Sequence, residues 1–361
     1  MEIGGFFHFP DIEYIDSKNS VLHYLNNSIG DNKCLFIQDG RQAIKFVLQQ
    51  IQDVQQKNCY LPTYLCHSII QPFQEMRLNI FFYDHIHPLT QNIDENVYNS
   101  IILIIDYFGT EFYLLNQIKK LLENGNSIIL DVTHSLLDKS RLQLSHKNLF
   151  YISSLRKTFP IPDGGVILHS NIEFDINMEG SESYVPMLDA MILKRTYLNK
   201  NYNLSRIHNM DVKNLFMVKY KKYEEDKDCR SIALHHIPQI SLLILSSLDI
   251  NTIVERRWQN IHTLYDCCKK NELFLYGLND IKSPFMVPLV LHNNQKREDL
   301  QSLLINNGIY PPIHWDIKGI VPGSFLYEHQ LSKKILSVPI DQRYDSDQMT
   351  GICKILNQVK T

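Results

Sequence analysis

Ser154 and Lys157 stand three residues apart in the stretch YISSLRKTFPIPDGGVIL, residues 151–168, with Arg156 beside the lysine and Gly164-Gly165 after a proline-bearing turn. A lysine amine can condense with an aldehyde. The same spacing occurs in serine hydrolases, where serine is the nucleophile and S-D-N and K-T-G elements accompany it, but neither tripeptide is present. A lone loop lysine is ordinarily solvated, so Lys157 needs company from elsewhere. In IILDVTHS, 128–135, Asp131 ends an apolar run that reads as a buried strand. Ligands of open α/β sheets collect at that end of the strands, although a carboxylate there can equally cap the next helix. His134, three residues on, by itself reads as an ordinary hydrogen-bonding residue. In QDGRQAIKFVL, 38–48, a strand, a turn and a helix follow one another. The helix start offers free N–H groups and a positive dipole end, suited to a phosphate; the simpler reading is a βα turn with Asp39 as N-cap.

Taken together, an anion cradle, an aspartate after one strand and a lysine after the next match one cofactor. Pyridoxal 5'-phosphate needs a phosphate site, a carboxylate on its pyridine nitrogen and a lysine for covalent attachment. With these segments in order, the sequence resembles the DegT/DnrJ/EryC1/StrS family of sugar aminotransferases, fold-type I pyridoxal phosphate enzymes. The resemblance spans most of the chain through YLPTYLCHSI, DYFGT, DVTHS, SLRKTFPIPDGG, GIYPPIHW and LSVPIDQRYDSDQM. It implies that Lys157 is the attachment point and proton carrier, that Asp131 pairs with the ring nitrogen, and that His134 lies near the phenolic oxygen. Gly40, Arg41 and Gln42 would present backbone N–H groups to the phosphate, Ser154 its hydroxyl and Arg156 a charge-assisted contact. Three features depart from the family. Asp39 replaces the usual Ser or Thr and would repel a phosphate unless it turns away to cap the helix. Cys66 stands where an aromatic ring usually covers the cofactor, leaving Tyr64 or His67 as alternatives. The Gly-Tyr-Asn-rich loop of the sugar enzymes is missing, replaced by an atypical segment at 172–235.

The implied activity is transfer of an amino group from an amino acid, glutamate by expectation, to the carbonyl of a nucleotide-linked keto sugar in surface polysaccharide biosynthesis. A small keto-phosphate acceptor and a non-catalytic regulator are the alternatives. The family's dehydratase branch carries His where Lys157 stands. Arg343, in PIDQRY, is a candidate for the donor carboxylate, with a structural salt bridge as its other reading. His314 and Trp315 are candidates for the acceptor pocket. The resemblance also implies a homodimer, with Arg230 and Ser231 candidates for completing the neighbour's site.

The elements that must position these residues are read from periodicity. Short β-like runs at 34–38, 58–62, 79–84, 100–108, 127–135, 148–154 and 165–170 alternate with helical patterns at 40–51 and 114–122, which predicts an α/β domain with a mostly parallel sheet. The expected organisation is a large domain over 1–236, a bridging helix over 237–271, and a small α+β domain over 272–361. Of the 361 residues, 44% are hydrophobic and 21% charged, with a formal net charge of −3. That balance argues against a nucleic-acid partner; the run KYKKYEEDKD, 219–228, alternates sign and reads as a solvated face. Seven scattered cysteines without a C-x-x-C pair suggest reduced thiols and a cytoplasmic protein. No apolar run is long enough for a bilayer. His235-His236 and the run Asp84 to His87 lack a third ligand at metal spacing, so no metal is expected. No GxGxxG follows an early strand, which argues against a nicotinamide enzyme.

Overall fold

The computed structural model describes residues 2–27, 33–86, 89–110, 114–170, 178–199 and 206–359. His87 and parts of the 172–235 segment lie outside them.

A seven-stranded sheet carries the fold. Its strands are, in spatial order, Lys33–Ile37, Gly165–His169, Leu149–Ser154, Ser127–Asp131, Ile101–Ile105, Asn58–Pro62 and Asn79–Tyr83. Only Gly165–His169 runs against its neighbours; the other pairings are parallel. The mostly parallel sheet is therefore as the alternation of patterns predicts. Ile101–Ile105, Ser127–Asp131 and Gly165–His169 are buried along their whole length, as continuous apolar runs require when helices cover both faces. One apolar layer packs Ile44, Val47 and Phe73 against the sheet. A second, on separate residues, packs Leu25, Leu121 and Ile244.

Two helices arise from the atypical segment, Val185–Leu198 and Arg206–Cys229. The expected single bridging helix is two, Gln239–Ser247 and Ile250–Cys267. Asp249 breaks it by acting as N-cap, accepting from the Thr252 N–H at 2.9 Å, the arrangement in which Asp is most favourable.

Beyond the bridge, Met286–Val290 pairs antiparallel with Ile335–Pro339, and helices Asn294–Asn306, Leu326–Lys334 and Ser346–Leu356 accompany them. The strand expected over 309–315 is only Ile309–Tyr310, paired with Ile3–Gly4. Pro311 and Pro312 end it, because proline cannot donate to a ladder. This C-terminal region is tied to the large sheet beside Lys157. Gln342 Nε2 donates to the Thr158 carbonyl at 3.0 Å, and buried Arg257 of the second bridging helix donates to the same oxygen through Nη2 at 2.9 Å and to Gln342 Oε1 through Nε at 2.9 Å. A second tie is the Gly109 carbonyl, which accepts from the N–H groups of Lys282 and Ser283. Gly109 has φ +66°, and a Cβ there would stand 1.9 Å from the Ser283 carbonyl oxygen, so only glycine permits this approach.

Candidate active site

Asp131 and Lys157 come together because their strands are neighbours. Ser127–Asp131 and Leu149–Ser154 pair in parallel, and both end at the same sheet edge. After Ser154 the chain makes one short 3-10 turn, Leu155–Lys157, that carries the lysine. Lys157, Asp131, Ser154, Gly40, Arg41 and Arg156 line one cavity. Asp131 is buried, and its Oδ1 accepts from the Thr133 N–H at 2.9 Å. Thr133 Oγ1 in turn accepts from the Ser154 N–H at 3.0 Å. Thr133 therefore aligns the carboxylate and the serine strand together, a role that sequence reasoning missed although DVTHS places a hydroxyl two residues after the aspartate.

The opposite wall is the turn before helix Gly40–Gln50. A Cβ on Gly40 would stand 3.4 Å from Ser154 Cβ, and one on Gly165 would stand 2.6 Å from the Asp39 carbonyl oxygen. These two glycines let the turn, the serine and the last strand meet. Asp39 is the N-cap: Oδ1 accepts from the Gln42 N–H at 2.9 Å. The Gln42 N–H is thereby spent inside the protein, and Gln42 Oε1 accepts from the His235 N–H at 2.7 Å. The expectation that Gln42 presents its N–H to a phosphate is corrected accordingly. Gly40 and Arg41 remain at the cavity wall. The Arg41 guanidinium pairs with Asp228, while its buried Nε has no partner among the described residues.

His134 is buried, and its Nδ1 accepts from the Phe108 N–H at 3.2 Å. That bond places the ring proton on Nε2, which is left as a donor. The ring stacks on Phe285 at 4.1 Å between centroids and lies nearly parallel to Trp315 at 5.6 Å. His314 is 5.8 Å from it, ring to ring, and its Nδ1 is 2.8 Å from Ser337 Oγ. Burial first, and then the unfavourable proximity of His314 and of the Lys157 charge, hold the His134 pKa well below the usual imidazole range. Burial and the Lys157 charge push His314 down to about 3. The lysine thus sits within electrostatic reach of both rings, and the C-terminal region supplies one of them.

Other expected residues are placed elsewhere. Tyr64 is fully buried in a cluster with Tyr107 and Trp315, and its hydroxyl donates to the His314 carbonyl. It holds the His314 backbone and is not on the cavity wall. His67 is exposed. From that segment it is Ser68 and Ile69 that reach the cavity. Arg343 grips Asp341 with Nε and Nη2 at 2.7 and 2.8 Å and donates to the Phe6 and Gly5 carbonyls. Four of its five N–H donors, and its charge, are taken by these partners, so the structural salt bridge is the reading that fits. Arg230 and Ser231 line a cleft with Asp39, Arg41 and Lys227 of their own chain.

One residue of the run expected to be solvated is not. Lys227 is 2% exposed and lines the same cavity as Lys157. Its Nζ lies 2.8 Å from Asp39 Oδ2, 3.0 Å from Asp163 Oδ1 and 3.0 Å from the Tyr223 hydroxyl. Burial alone would raise the Asp39 pKa, but the Lys227 charge outweighs it and brings it to about 2. Arg156 pairs with Glu224 on the same helix at 3.1 Å. No group of three or more His, Cys, Asp or Glu side chains able to hold a metal occurs among the described residues, and no described helix is long and apolar enough to cross a membrane.

No family model matches the sequence, and no curated protein matches it. Solved structures do match. A DegT DnrJ EryC1 StrS aminotransferase from Brucella abortus superposes with a TM-score of 0.62 at 13% identity, over 96% of this chain and 92% of that one. Spr1654 from Streptococcus pneumoniae, in its PLP form, gives 0.66 at 12% identity, over 99% and 94%. DesI, solved in the presence of its TDP-sugar product, gives 0.61 at 13% identity, over 93% and 83%. What is shared at such identities is the fold: the chain has the fold-type I architecture of the DegT/DnrJ/EryC1/StrS aminotransferases, as the sequence resemblance implied.

Proposed function

We propose that the protein is a pyridoxal phosphate-dependent aminotransferase. It takes the amino group of an amino acid, glutamate in our reading, and passes it to the carbonyl of a nucleotide-linked keto sugar, in surface polysaccharide biosynthesis. The observation that carries this reading is the convergence of Lys157, Asp131, Ser154 and Gly40 on one cavity at the C-terminal edge of the sheet. The residues fit the cofactor. The side-chain-free Gly40 beside Ser154 and the unpartnered Arg41 Nε make a cradle for a phosphate, and the carboxylate of Asp131 lines the same cavity, available to a ring nitrogen. The acceptor class rests on the sugar enzymes that share the fold, one of them solved with a TDP-sugar. A cytoplasmic homodimer is part of the proposal. It is supported by the free cysteines and by the exposed apolar residues Ile192, Leu215 and Val218 on the helical pair of the atypical segment.

Bound there, pyridoxal phosphate supplies an aldehyde and an electron-accepting ring. The chain's own contributions follow from geometry. Asp131, fixed by Thr133, offers a carboxylate oxygen to a protonated ring nitrogen and keeps it protonated. His134, donating from Nε2, suits a phenolic oxygen. Lys157 Nζ removes the proton from Cα of the donor and returns it on the other side of the reaction. His134 and His314 stay neutral beside it and do not compete for that proton. Arg156 and Ser154 hold the anion, so that the reacting carbon stays within the lysine's reach.

The test is spectroscopic. The purified protein is expected to be yellow, to bleach with borohydride, and to lose its visible band on adding glutamate. Lys157→Ala is expected to bind the cofactor without the lysine-linked band and to turn over at least a thousandfold more slowly. A colourless protein that takes up no pyridoxal phosphate refutes the proposal. A panel of keto sugars and keto-phosphates with glutamate as donor separates the acceptor classes.

A further inference from the structure

The cradle contains a contradiction that Lys227 resolves. A phosphate carries close to two negative charges at neutral pH, yet Asp39 begins the very turn that faces it. Capping occupies only Oδ1 of that carboxylate. The second oxygen, Oδ2, meets Lys227 at 2.8 Å. Lys227 comes from near the end of the Arg206–Cys229 helix, where the sequence reads as a solvated run of mixed charge. An ammonium has three donors, and all three are met by Asp39, Asp163 and the Tyr223 hydroxyl. Lys227 therefore has no hydrogen left for a ligand. It acts on the cavity through its charge.

The charges lining the cavity are Arg41, Arg156, Lys157 and Lys227 against Asp39 and Asp131. Arg41 and Arg156 are each partly offset by Asp228 and Glu224 from the same helix. Without Lys227, Asp39 on the cavity wall and Asp163, which does not line it, would both lose their buried counter-ion, in surroundings where water screens little.

We propose that Lys227 is a positioning residue that cancels Asp39 and so makes an aspartate-capped turn competent to bind a phosphate ester. The inference rests on the cofactor reading above and deepens it. The atypical helix closes the phosphate side of its own chain's site with a buried cation.

The experiment titrates apoprotein with pyridoxal phosphate by absorbance and with inorganic phosphate by calorimetry, in wild type and three variants. Lys227→Met is expected to weaken both ligands tenfold or more. Asp39→Asn keeps the helix cap and Lys227 while removing the charge, and is expected to tighten both several-fold. The double variant Asp39→Asn/Lys227→Met is expected to recover part of the affinity lost in Lys227→Met, because the Asp39 charge is gone while Asp163 still lacks its cation. Wild-type affinity in Lys227→Met overturns the proposal, as does a double variant no better than Lys227→Met, or an Asp39→Asn variant that binds more weakly. If Lys227→Met does not fold, the Asp39→Asn result decides alone. A wild-type protein that binds inorganic phosphate but not pyridoxal phosphate sinks the cofactor reading, while the variants still judge Lys227.

Discussion

Two neutral histidines beside a lysine make a measurable demand on stability at mildly acid pH. An imidazole in the unfolded chain titrates near 6.5. In the folded protein, burial and the Lys157 charge hold His314 down to about 3. Between those values the unfolded state binds a proton that the folded state refuses, so stability is complete above the unfolded pKa and falls as pH drops through this window. Integrating that difference from pH 7 to pH 5 gives a loss of at most about 2 kcal/mol from His314, since the ring keeps some solvent contact. His134 is shifted in the same direction and adds to the loss. The perturbation is His314→Gln, which cannot titrate. Urea unfolding of the apoprotein at pH 7, 6 and 5, followed by tryptophan fluorescence, measures the stability gap between wild type and variant. The gap should shift in favour of the variant by 1 to about 2 kcal/mol over that range. Curves that stay parallel, or a His314 ring signal titrating near 6.5 by NMR in the folded protein, would refute the electrostatic picture and remove the argument that Lys157 is the sole proton carrier among these groups.

Three other substitutions test the supports of the site. Gly165→Ala places a Cβ 2.6 Å from the Asp39 carbonyl oxygen, so a loss of about 1–3 kcal/mol in thermal unfolding and weaker cofactor binding are expected together. Arg257→Met removes the donor from the Pro284 and Gln342 acceptors and leaves the Thr158 carbonyl with Gln342 Nε2 alone; a loss of about 2–3 kcal/mol is expected from unsatisfied buried groups, with a lower kcat because the residue after Lys157 loses one of its two ties. Tyr64→Phe removes the bond to the His314 carbonyl and is expected to cost about 1–2 kcal/mol in denaturant unfolding without altering the cofactor's absorbance, since the ring lies in the core.

What the sequence discloses depends on whether the informative neighbours are local. The buried strands are visible because both of their faces are covered, so that nearly every residue is apolar, and their order along the chain with intervening helices predicts a parallel sheet. Asp131 and Lys157 are legible for the same reason. Each follows such a strand at the ligand-binding edge, and the two strands are neighbours, with Asp131 opposite Ile152. The bridging helix is misread because one good N-cap, Asp249, outweighs an unbroken helical pattern. Tyr64 and Arg343 are chemically suited to a site, yet their tips are consumed by partners that periodicity does not report, the His314 carbonyl and Asp341. Lys227 is the sharpest case. Within KYKKYEEDKD its neighbours Asp226 and Asp228 are exposed, as mixed charge suggests, but Tyr223 and Lys227 lie one helical turn apart on the face turned inward. The i, i+4 spacing of an aromatic and a lysine was the available signal. What gives it meaning is Asp39 and Asp163, both far away in sequence. An aspartate that looks wrong for a phosphate cradle is therefore itself informative: a buried carboxylate must be matched by a buried cation, and here that cation comes from the helix Arg206–Cys229, far away in sequence.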